Sequence, residues 1–376
     1  MSKRKPRANK KILILGTSPM NLYHHRLELV KELLNQHIEV HIAAPYGEEV
    51  PLLEKVGCHY HSTAVDARGV NPVADIKLLR SLINIIKNIN PDIVLTFYTK
   101  TNIYGGLACR FTKTPYIENI TGLGTALGNG GIKEKIMAAL YKAAIKKAHL
   151  VYFQNQHNFQ FFKNHKMPVK LSEMIPGSGV ALNRHKILPY PDSSEKIRFA
   201  FLGRVLAQKG FYEFADAAER ISKKYPQTEF HIIGPATGGP QKRIDELITN
   251  SNFINHGKVI DIRPLMRQIH CMVFPSYYPE GMANVLLESA AMGRPIITTD
   301  CPGCGETVDD GASGYIVKPR DVDSLVEAME KFILLTDKEK FEMGLAGRKK
   351  MESEFDREIV IKSYMRNINT VIGEKR

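Results

Sequence analysis

The sequence predicts an α/β protein with two doubly wound parallel sheets, one in each half of the chain. Short apolar runs alternate with amphipathic stretches along most of the 376 residues, and such strand–helix alternation is typical of parallel sheets. The alternation is interrupted once, by the proline- and serine-rich segment LPYPDSSEK (188–196), and then begins again. A chain of this length can bury two hydrophobic cores.

The first half contains six predicted strands and several amphipathic helices. We expect the strands at 11–16, 39–45, 92–97, 115–120, 149–153 and 171–175. We expect the helices at 22–36, 72–89, 101–111 and 132–149. Residues 11–187 would then form an N-terminal domain, preceded by a disordered basic arm at residues 1–10.

The second half repeats the pattern after the predicted linker at 188–196. We expect strands at 197–203, 228–234, 252–257, 271–275 and 295–300. Helical patterns lie at 210–224, 240–250, 262–269, 283–292, 321–334, 337–352 and 356–372. We therefore predict a second domain at 197–355, followed by a C-terminal helical segment at 356–376.

Charged residues are distributed unevenly between the two halves of the chain. The net charge is +13, and it comes entirely from residues 1–190, which have 26 Lys and Arg against 12 Asp and Glu. This imbalance predicts an anionic partner for the first half. No apolar run has the length of a membrane span, and no secretory signal follows the basic start. The five dispersed cysteines are typical of a reducing compartment, and we expect Cys301-Pro-Gly-Cys304 to be a turn.

Ligands of doubly wound sheets bind beyond the carboxyl ends of the strands, where helices begin. Two loops of the second half stand at such positions. In FLGRVLAQKG, Gly203 permits a tight turn, while Arg204 and Lys209 provide cations suited to a phosphate. In PEGMANVLLE, the backbone N–H groups around Gly281 can bind a diphosphate. If the two loops converge, a nucleoside diphosphate fits between them.

PEGMANVLLE also separates two glutamates, Glu280 and Glu288, by eight positions. In a helix, that separation spans about 12 Å, which exceeds the roughly 5–9.5 Å of a hydrolytic acid–base pair. The spacing suits two ends of an extended ligand, with Glu280 on sugar hydroxyls and Glu288 on both hydroxyls of a ribose. Two solvated glutamates on a helix face remain an open alternative.

These segments together resemble a known family. GRVLAQKG, SYYPEGMANVLLESAAMGRPIITTD and GASGYIVKPRD are similar, in order and spacing, to the retaining enzymes of glycosyltransferase family 4. The N-terminal stretch GTSPMNLYHHRLELVKELLNQHIEVHIAAP resembles the family's acceptor domain. The resemblance implies the GT-B fold, with two Rossmann-like domains facing a cleft and a C-terminal helix that crosses back to the N-domain. It is nearest to bacterial enzymes that extend undecaprenyl-diphosphate-linked glycans.

The resemblance also implies roles for individual residues. A hexose or N-acetylhexosamine would move from a UDP-sugar, with retention, to a lipid-linked glycan in capsule, O-antigen or N-glycan assembly. Arg204 and Lys209 would neutralise the donor diphosphate, and Glu280 would hold the transferred sugar. The remaining donor-binding residues would be Gly203, Gly281, Met282, Ala283, Asn284 and Glu288. No metal or cofactor is expected, because these cations can serve, and Asp321-Val-Asp323 is predicted to cap a helix and not to bind metal.

The acceptor is expected on the loops that follow strands of the first half. The candidates are Ser18, Asn21, His25, Arg26, Lys100, Thr101, Asn102, Glu118 and Thr121. One departure from the family concerns the last of these, because many members carry a histidine where Thr121 stands. Ordinary packing or surface positions would explain His25 and Arg26 equally well.

The helix predicted at 132–149 is both basic and amphipathic. Lys135, Lys142 and Lys146 form a stripe beside Ile136 and Leu140. Such a helix can lie on anionic lipid, although a core-packed helix with solvated lysines has the same pattern. With the basic first half and a lipid-linked acceptor, we expect a cytoplasmic enzyme bound peripherally to the inner face of the cell membrane.

Two other functions share parts of this pattern. A non-hydrolysing nucleotide-sugar epimerase would use the same fold and would consume its donor without an acceptor. A nucleic-acid-binding module would exploit the basic half, but it predicts aromatic residues interleaved with cations. The helix at 132–149 carries only Tyr141, on the side away from the lysines, so we expect no nucleic-acid partner. A dehydrogenase is disfavoured because neither glycine-containing turn has the GxGxxG spacing.

Overall fold

The computed structural model describes residues 10–63, 71–123 and 131–373, and it separates into two compact units. The first unit comprises the chain up to Ser178 together with the part from Glu358 onward, and the second unit spans Gly179–Arg357. Apart from Lys10, the predicted basic arm lies outside the described residues. Each unit is built on one parallel sheet with helices, which confirms the predicted fold class.

The first unit contains a seven-stranded sheet in the order β3-β2-β1-β4-β5-β6-β7. Its strands are β1 (Lys11–Leu15), β2 (Glu39–Ala44), β3 (His59–Ser62), β4 (Ile93–Phe97), β5 (Tyr116–Ile120), β6 (Leu150–Phe153) and β7 (Ser172–Met174). Its helices before the second unit are α1 (Pro19–Asn35), α2 (Val50–Val56), α3 (Pro72–Ile89), α4 (Thr99–Thr112), α5 (Gly131–Ile145) and α6 (Gln156–Asn164). Buried aliphatic residues of the central strands pack against these helices on both faces of the sheet.

The second unit contains a six-stranded parallel sheet in the order β10-β9-β8-β11-β12-β13. Its strands are β8 (Ile197–Leu202), β9 (Thr228–Ile233), β10 (Phe253–Gly257), β11 (Cys271–Phe274), β12 (Ile296–Thr299) and β13 (Gly314–Val317). Its helices are α7 (Phe211–Lys224), α8 (Gly239–Leu247), α9 (Arg263–Met266), α10 (Asn284–Ala291), α11 (Val322–Leu334) and α12 (Asp337–Glu354). A single core of aliphatic, methionine and phenylalanine side chains lies between the sheet and its helices.

The C-terminal helix α13 (Arg357–Gly373) belongs to the first unit from Glu358 onward. Tyr364 and Ile368 are buried in the same cluster as Ile12 and Leu95 of the first sheet. The chain therefore returns to its N-terminal unit, as the family resemblance implies. The second unit begins and ends side by side. The Val180 N–H donates to the Phe355 carbonyl at 2.8 Å, and the Val180 carbonyl accepts the Arg357 N–H at 3.1 Å.

Local sequence signals explain several helix starts. Ser18 precedes α1, and Pro19 fills its first position, where a missing N–H costs nothing. The Asp321 side chain accepts the Ser324 N–H at 3.0 Å and so caps α11, as predicted. Thr336 and Glu339 form a reciprocal capping box at α12.

The two sheets repeat one polar cluster at the same topological position. On the second strand of each sheet order, a glutamate accepts a hydrogen bond from the histidine two residues later, and that histidine contacts another on the edge strand. The ring nitrogens of the two histidines are 2.9 Å apart in both units. The members are Glu39, His41 and His61 in the first unit and Glu229, His231 and His256 in the second.

Within the described ranges, no helix is long and apolar enough to cross a membrane. The same residues contain no group of three or more histidine, cysteine, aspartate or glutamate side chains arranged to hold a metal ion.

Candidate functional site

The cation loop, residues 203–210, follows β8 at the carboxyl edge of the second sheet. It contains exposed Arg204 and a single 3₁₀ turn, Ala207–Lys209. Gly210 has a φ of +77°, and a side chain there would collide with the carbonyl of Pro275 at the end of β11. Glycine at this position therefore lets the cation loop lie directly against the segment that follows β11.

The glutamate loop, residues 276–283, connects β11 to α10 and is hydrogen-bonded to the cation loop. The Gln208 carbonyl accepts the Tyr277 N–H at 3.2 Å and the Ser276 hydroxyl at 3.3 Å. Between side chains, the Lys209 ammonium forms an ion pair with the Glu280 carboxylate. The two loops therefore converge, which meets the condition stated for a nucleoside diphosphate site, and these three contacts hold them together.

A third segment, the cysteine turn at residues 301–304, supports the glutamate loop from β12. The Glu280 N–H donates to the Pro302 carbonyl at 2.9 Å, and the Ala283 N–H donates to the Gly303 carbonyl at 2.8 Å. Gly303 has a φ of +80°, and an added Cβ would lie 2.8 Å from the Glu280 backbone. Sequence analysis predicted a turn here but assigned it no function, and the structure shows that it fixes the backbone of the glutamate loop.

Burial shifts the pKa values of two ionisable groups at this edge, Lys209 and Glu288, towards 7. The side chains of Lys209 and Glu280 are only 12% and 17% exposed, and burial lowers the pKa of Lys209 to about 8. Glu288 lies in the second turn of α10, where burial raises its pKa to about 7 against the opposing effect of Arg357 and Arg184. A buried ammonium and carboxylate that face each other can exchange that contact for a phosphate and for sugar hydroxyls.

The remaining predicted donor residues lie where the glutamate loop becomes α10. Gly281, Met282 and Ala283 are buried, and Asn284 is the first residue of the helix. Ala283 is the N-cap, and its methyl group offers the first turn no hydrogen-bond acceptor. The Leu286 N–H donates to the Ala283 carbonyl at 2.9 Å, and the positive end of the helix dipole favours an anion beside this turn.

At the carboxyl edge of the first sheet, the acceptor candidates divide into two groups. The half-buried candidates are Ser18, Asn21, His25, Lys100 and Thr121. The buried candidates are Arg26, Thr101, Asn102 and Glu118. The first group exposes more surface to a ligand than the second, although the Lys100 side chain is itself only 12% exposed.

The buried candidates are held by contacts within the unit. The Arg26 guanidinium lies 4.4 Å from the centroid of the Phe97 ring. The Thr101 hydroxyl donates to the Phe97 carbonyl. Asn102 donates to the Asn119 carbonyl at 2.9 Å and accepts the Thr96 hydroxyl at 2.7 Å. These contacts fix the beginning of α4 next to β5.

Lys100 and Glu118 are two ionisable residues at this edge that differ in their partners. Lys100 pairs with Asp75 of α3 at 3.1 Å, with both side chains largely buried. Glu118 points between α4 and α5, where neither carboxyl oxygen has a hydrogen-bond partner among the described residues. Burial raises the pKa of this carboxyl well above the usual range.

Helix α5 carries the predicted lysine stripe. Lys135, Lys142 and Lys146 are exposed, whereas Tyr141 is buried against α4 and α6 side chains. Ile136, on the predicted apolar face, is 51% exposed. The apolar face identified from the sequence is thus partly outward, beside the lysines, and Met137, Ala138 and Ala144 supply the buried side.

Two family models match the chain and together cover most of it. Residues 11–155 match the model described as "Glycosyl transferase 4-like", and residues 196–334 match "Glycosyl transferases group 1". These two segments contain the two carboxyl edges described above. The chain is therefore a glycosyltransferase with two α/β units. It belongs to the glycosyltransferases of group 1 and family 4, and its GT-B fold is the one that the sequence predicted.

Similar proteins extend this assignment. The N,N'-diacetylbacillosaminyl-diphospho-undecaprenol α-1,3-N-acetylgalactosaminyltransferase of Campylobacter jejuni is 27% identical over 96% of this chain and 99% of its own length. The capsular polysaccharide biosynthesis glycosyltransferase CapM of Staphylococcus aureus is 24% identical over 97% of this chain and 98% of its own length. Among solved structures, Anabaena HepE in complex with UDP and glucose superposes with a TM-score of 0.79, at 17% identity, over 96% of this chain and all of that one.

The relatives favour transfer over the two alternatives drawn from the sequence. Both curated relatives carry glycosyltransferase names and span nearly the whole chain. Neither name describes an epimerase or a nucleic-acid-binding protein. The chain is accordingly a hexosyltransferase, and the residue roles and the particular substrates are the subject of the proposal below.

Proposed function

We propose that this protein transfers a hexose or N-acetylhexosamine from a UDP-sugar to an undecaprenyl-diphosphate-linked glycan, with retention, in capsule, O-antigen or N-glycan assembly. One observation carries the proposal: the Lys209–Glu280 pair, at the point where the cation loop meets the glutamate loop. The pair sets a phosphate-binding cation beside a hydroxyl-binding carboxylate. The name of the Campylobacter jejuni relative, which is similar over 96% of this chain, supports the lipid-linked acceptor.

The chemistry of the donor half follows from these charges. The bond between the anomeric carbon and the diphosphate oxygen breaks, and negative charge grows on the leaving nucleoside diphosphate. Lys209 and Arg204 would neutralise that charge, most strongly in the transition state. Glu280 would accept hydrogen bonds from the transferred sugar, and Glu288 would accept both ribose hydroxyls.

The acceptor supplies the oxygen of the new bond. Its hydroxyl attacks the anomeric carbon on the face that the diphosphate leaves, and its proton passes to the departing diphosphate oxygen. No enzyme nucleophile is needed for retention by this route. We place the acceptor diphosphate at the half-buried candidates of the first sheet, which are Ser18, Asn21, His25, Lys100 and Thr121.

The test of the donor assignment is a panel of UDP-sugars with an undecaprenyl-diphosphate-sugar acceptor in detergent. Transfer is expected from one donor and is expected to be lost in Glu280→Ala. Glu327→Ala, which changes an exposed glutamate of α11, is the matched control and should remain active. Full transfer by Glu280→Ala would contradict the site, and consumption of UDP-GlcNAc without acceptor would favour the epimerase.

We further propose that the first unit rests on an anionic membrane surface, at the cytoplasmic face. Within the described parts of α3, α4 and α5, no acidic side chain is exposed. Asp75 is paired with Lys100, and Glu134 is half-buried and close to His165. The exposed cations of these helices are Lys77, Arg80, Lys87, Lys135 and Lys142. An acid-free basic surface is attracted to anionic lipid by about 1 kcal/mol for each cation near the bilayer.

Vesicle binding tests this surface. A triple charge reversal, Lys135→Glu with Lys142→Glu and Lys146→Glu, should release the protein from vesicles that contain anionic lipid. An equal reversal of exposed lysines in the second unit, Lys223→Glu with Lys242→Glu and Lys338→Glu, should leave binding in place. If both triple variants lose binding equally, net charge alone drives association.

A further inference from the structure

Arg320 has a backbone conformation that arginine rarely adopts. It stands between β13 and α11 with a φ of +60°. Six described non-glycine residues have such a φ, and they are His37, Asn90, Tyr98, Lys113, Lys166 and Arg320. Four of them end helices, where a left-handed residue is common. Arg320 has no such reason, because it precedes a helix, and glycine would adopt the same conformation at lower cost.

The side chain of Arg320 explains what this conformation achieves. Its guanidinium lies 4.2 Å from the centroid of the Tyr277 ring, within the range of a cation–π contact. Arg320 is also close enough to Cys301 to oppose the effect of burial, which raises the pKa of that thiol. The arginine therefore reaches back from the end of β13 to the glutamate loop and the cysteine turn.

Tyr277 transmits this contact to the donor-binding loops. Its backbone N–H donates to the Gln208 carbonyl, and Gln208 immediately precedes Lys209. Three residues after Tyr277 comes Glu280, the ion-pair partner of Lys209. An aromatic ring held in place above this junction limits the conformations of both loops, and preorganised donors and acceptors bind a ligand more tightly.

We propose that Arg320 is a positioning residue for donor binding, which acts through Tyr277 and does not itself contact the donor. This inference rests on the proposed function for the identity of the ligand. It adds Arg320 to the residues that shape the donor site. It also explains the strained backbone after β13, which places the guanidinium over the Tyr277 ring. A glycine at this position would relax the backbone and release the ring.

The experiment compares Arg320→Gly with His37→Gly. Both changes remove a long side chain from a left-handed position, and His37 is exposed in the other unit, after α1. Neither variant should unfold at a lower temperature than the wild type. Only Arg320→Gly should weaken the binding of UDP, measured by calorimetry, by roughly three- to thirtyfold. The KM for the donor should rise in parallel, and Arg320→Lys should restore part of the loss.

A double-mutant cycle tests the route through the ring. Tyr277→Leu should weaken UDP binding about as much as Arg320→Gly, and the double variant should be no worse than either. Unchanged UDP binding in Arg320→Gly would overturn the inference, and so would additive losses, which would mean that Arg320 acts apart from Tyr277. A wild-type protein that binds UDP but transfers no sugar would defeat the proposed function alone, whereas one that binds no UDP would defeat both.

Discussion

The two sheets share a polar cluster but differ at their ligand-binding edges. In each unit, a glutamate–histidine pair on the second strand of the sheet order contacts a histidine of the edge strand, with the same 2.9 Å separation. At the carboxyl edge, however, the first unit holds its ionisable groups within helices and strands, as with Glu118 on β5 and the Lys100–Asp75 pair between α4 and α3. The second unit places Lys209 and Glu280 in loops. The two units thus repeat the same sheet and the same polar cluster, but they place their charged side chains in different elements at the carboxyl edge.

The largest expected effect concerns the loop charges of the second unit. Lys209→Met should reduce kcat/KM for transfer by about 10²- to 10³-fold, because it removes a cation from the site of developing negative charge. The unfolding midpoint should stay nearer to that of the wild type than in the change below, because the Glu280 side chain is 17% exposed, against 8% for Asp75, and water can solvate it better. Thermal unfolding and steady-state kinetics on the same preparation check both halves. A large loss of stability in Lys209→Met would mean that the Lys209–Glu280 pair stabilises the fold as the Lys100–Asp75 pair does, and would contradict the comparison.

The matching change in the first unit should act on stability. Lys100→Met leaves the Asp75 carboxylate largely buried without its cation, and breaking such a pair costs about 3 kcal/mol. UDP binding should be unaffected. Denaturant unfolding of Lys100→Met beside Lys100→Met/Asp75→Asn measures the effect, and the double variant should recover most of the loss. Wild-type stability in Lys100→Met would show that this pair contributes nothing to the fold.

Removing the acid of Glu118 should stabilise the protein at neutral pH. Glu118→Leu replaces a buried carboxyl that has no hydrogen-bond partner in the described chain, with an expected gain of about 1–3 kcal/mol. Because the folded pKa is raised above its ordinary 4.5, the stability linked to Glu118 is greatest below that pH and is lost as the pH rises towards the folded pKa. Glu118→Gln should abolish this slope in unfolding experiments between pH 4 and 8. An unchanged slope would mean that Glu118 is ionised in the folded protein.

The smallest effect is the pH dependence of the donor site. In the proposed site Glu288 would accept ribose hydroxyls as a carboxylate, and its pKa is about 7, so kcat/KM should rise with pH through that value. Lys209 must be an ammonium, and its pKa is about 8, so kcat/KM should fall above that value. Each limb changes by up to tenfold per pH unit. Glu288→Gln should flatten the acid limb alone, and an acid limb that persists in this variant must come from another group.

Much of the fold could be predicted from the sequence because buried parallel strands are continuous apolar runs. Runs such as KILIL and IRFAFL lie within a residue of the observed strands β1 and β8. The edge strands β3 and β13 were missed. The first reads HYHS and is mostly exposed, so it has no apolar pattern, and the second is a four-residue strand within a glycine-rich motif.

The positions of the cation loop and the glutamate loop could also be predicted, because they depend only on which strand each loop follows. Their supports could not. The cysteine turn and the Arg320–Tyr277 contact join segments that are distant in sequence, and nothing in the local pattern of either segment indicates the other. Thr101 and Asn102 illustrate the opposite case. They are polar residues after a strand, which predicts an accessible loop, yet helix α4 begins at Thr99 and buries both.

The paired ends of the second unit have a consequence for how such enzymes diversify. Since Val180 is hydrogen-bonded to both Phe355 and Arg357, the segment enters and leaves at one place, like a cassette inserted into another protein. Insertions with adjacent ends disturb their host least. If the second unit binds the donor as proposed, another such unit could replace it through two neighbouring junctions, with no change to the hydrophobic clusters of the first unit. Genetic exchange at these two points would give an old acceptor a new sugar in a single event.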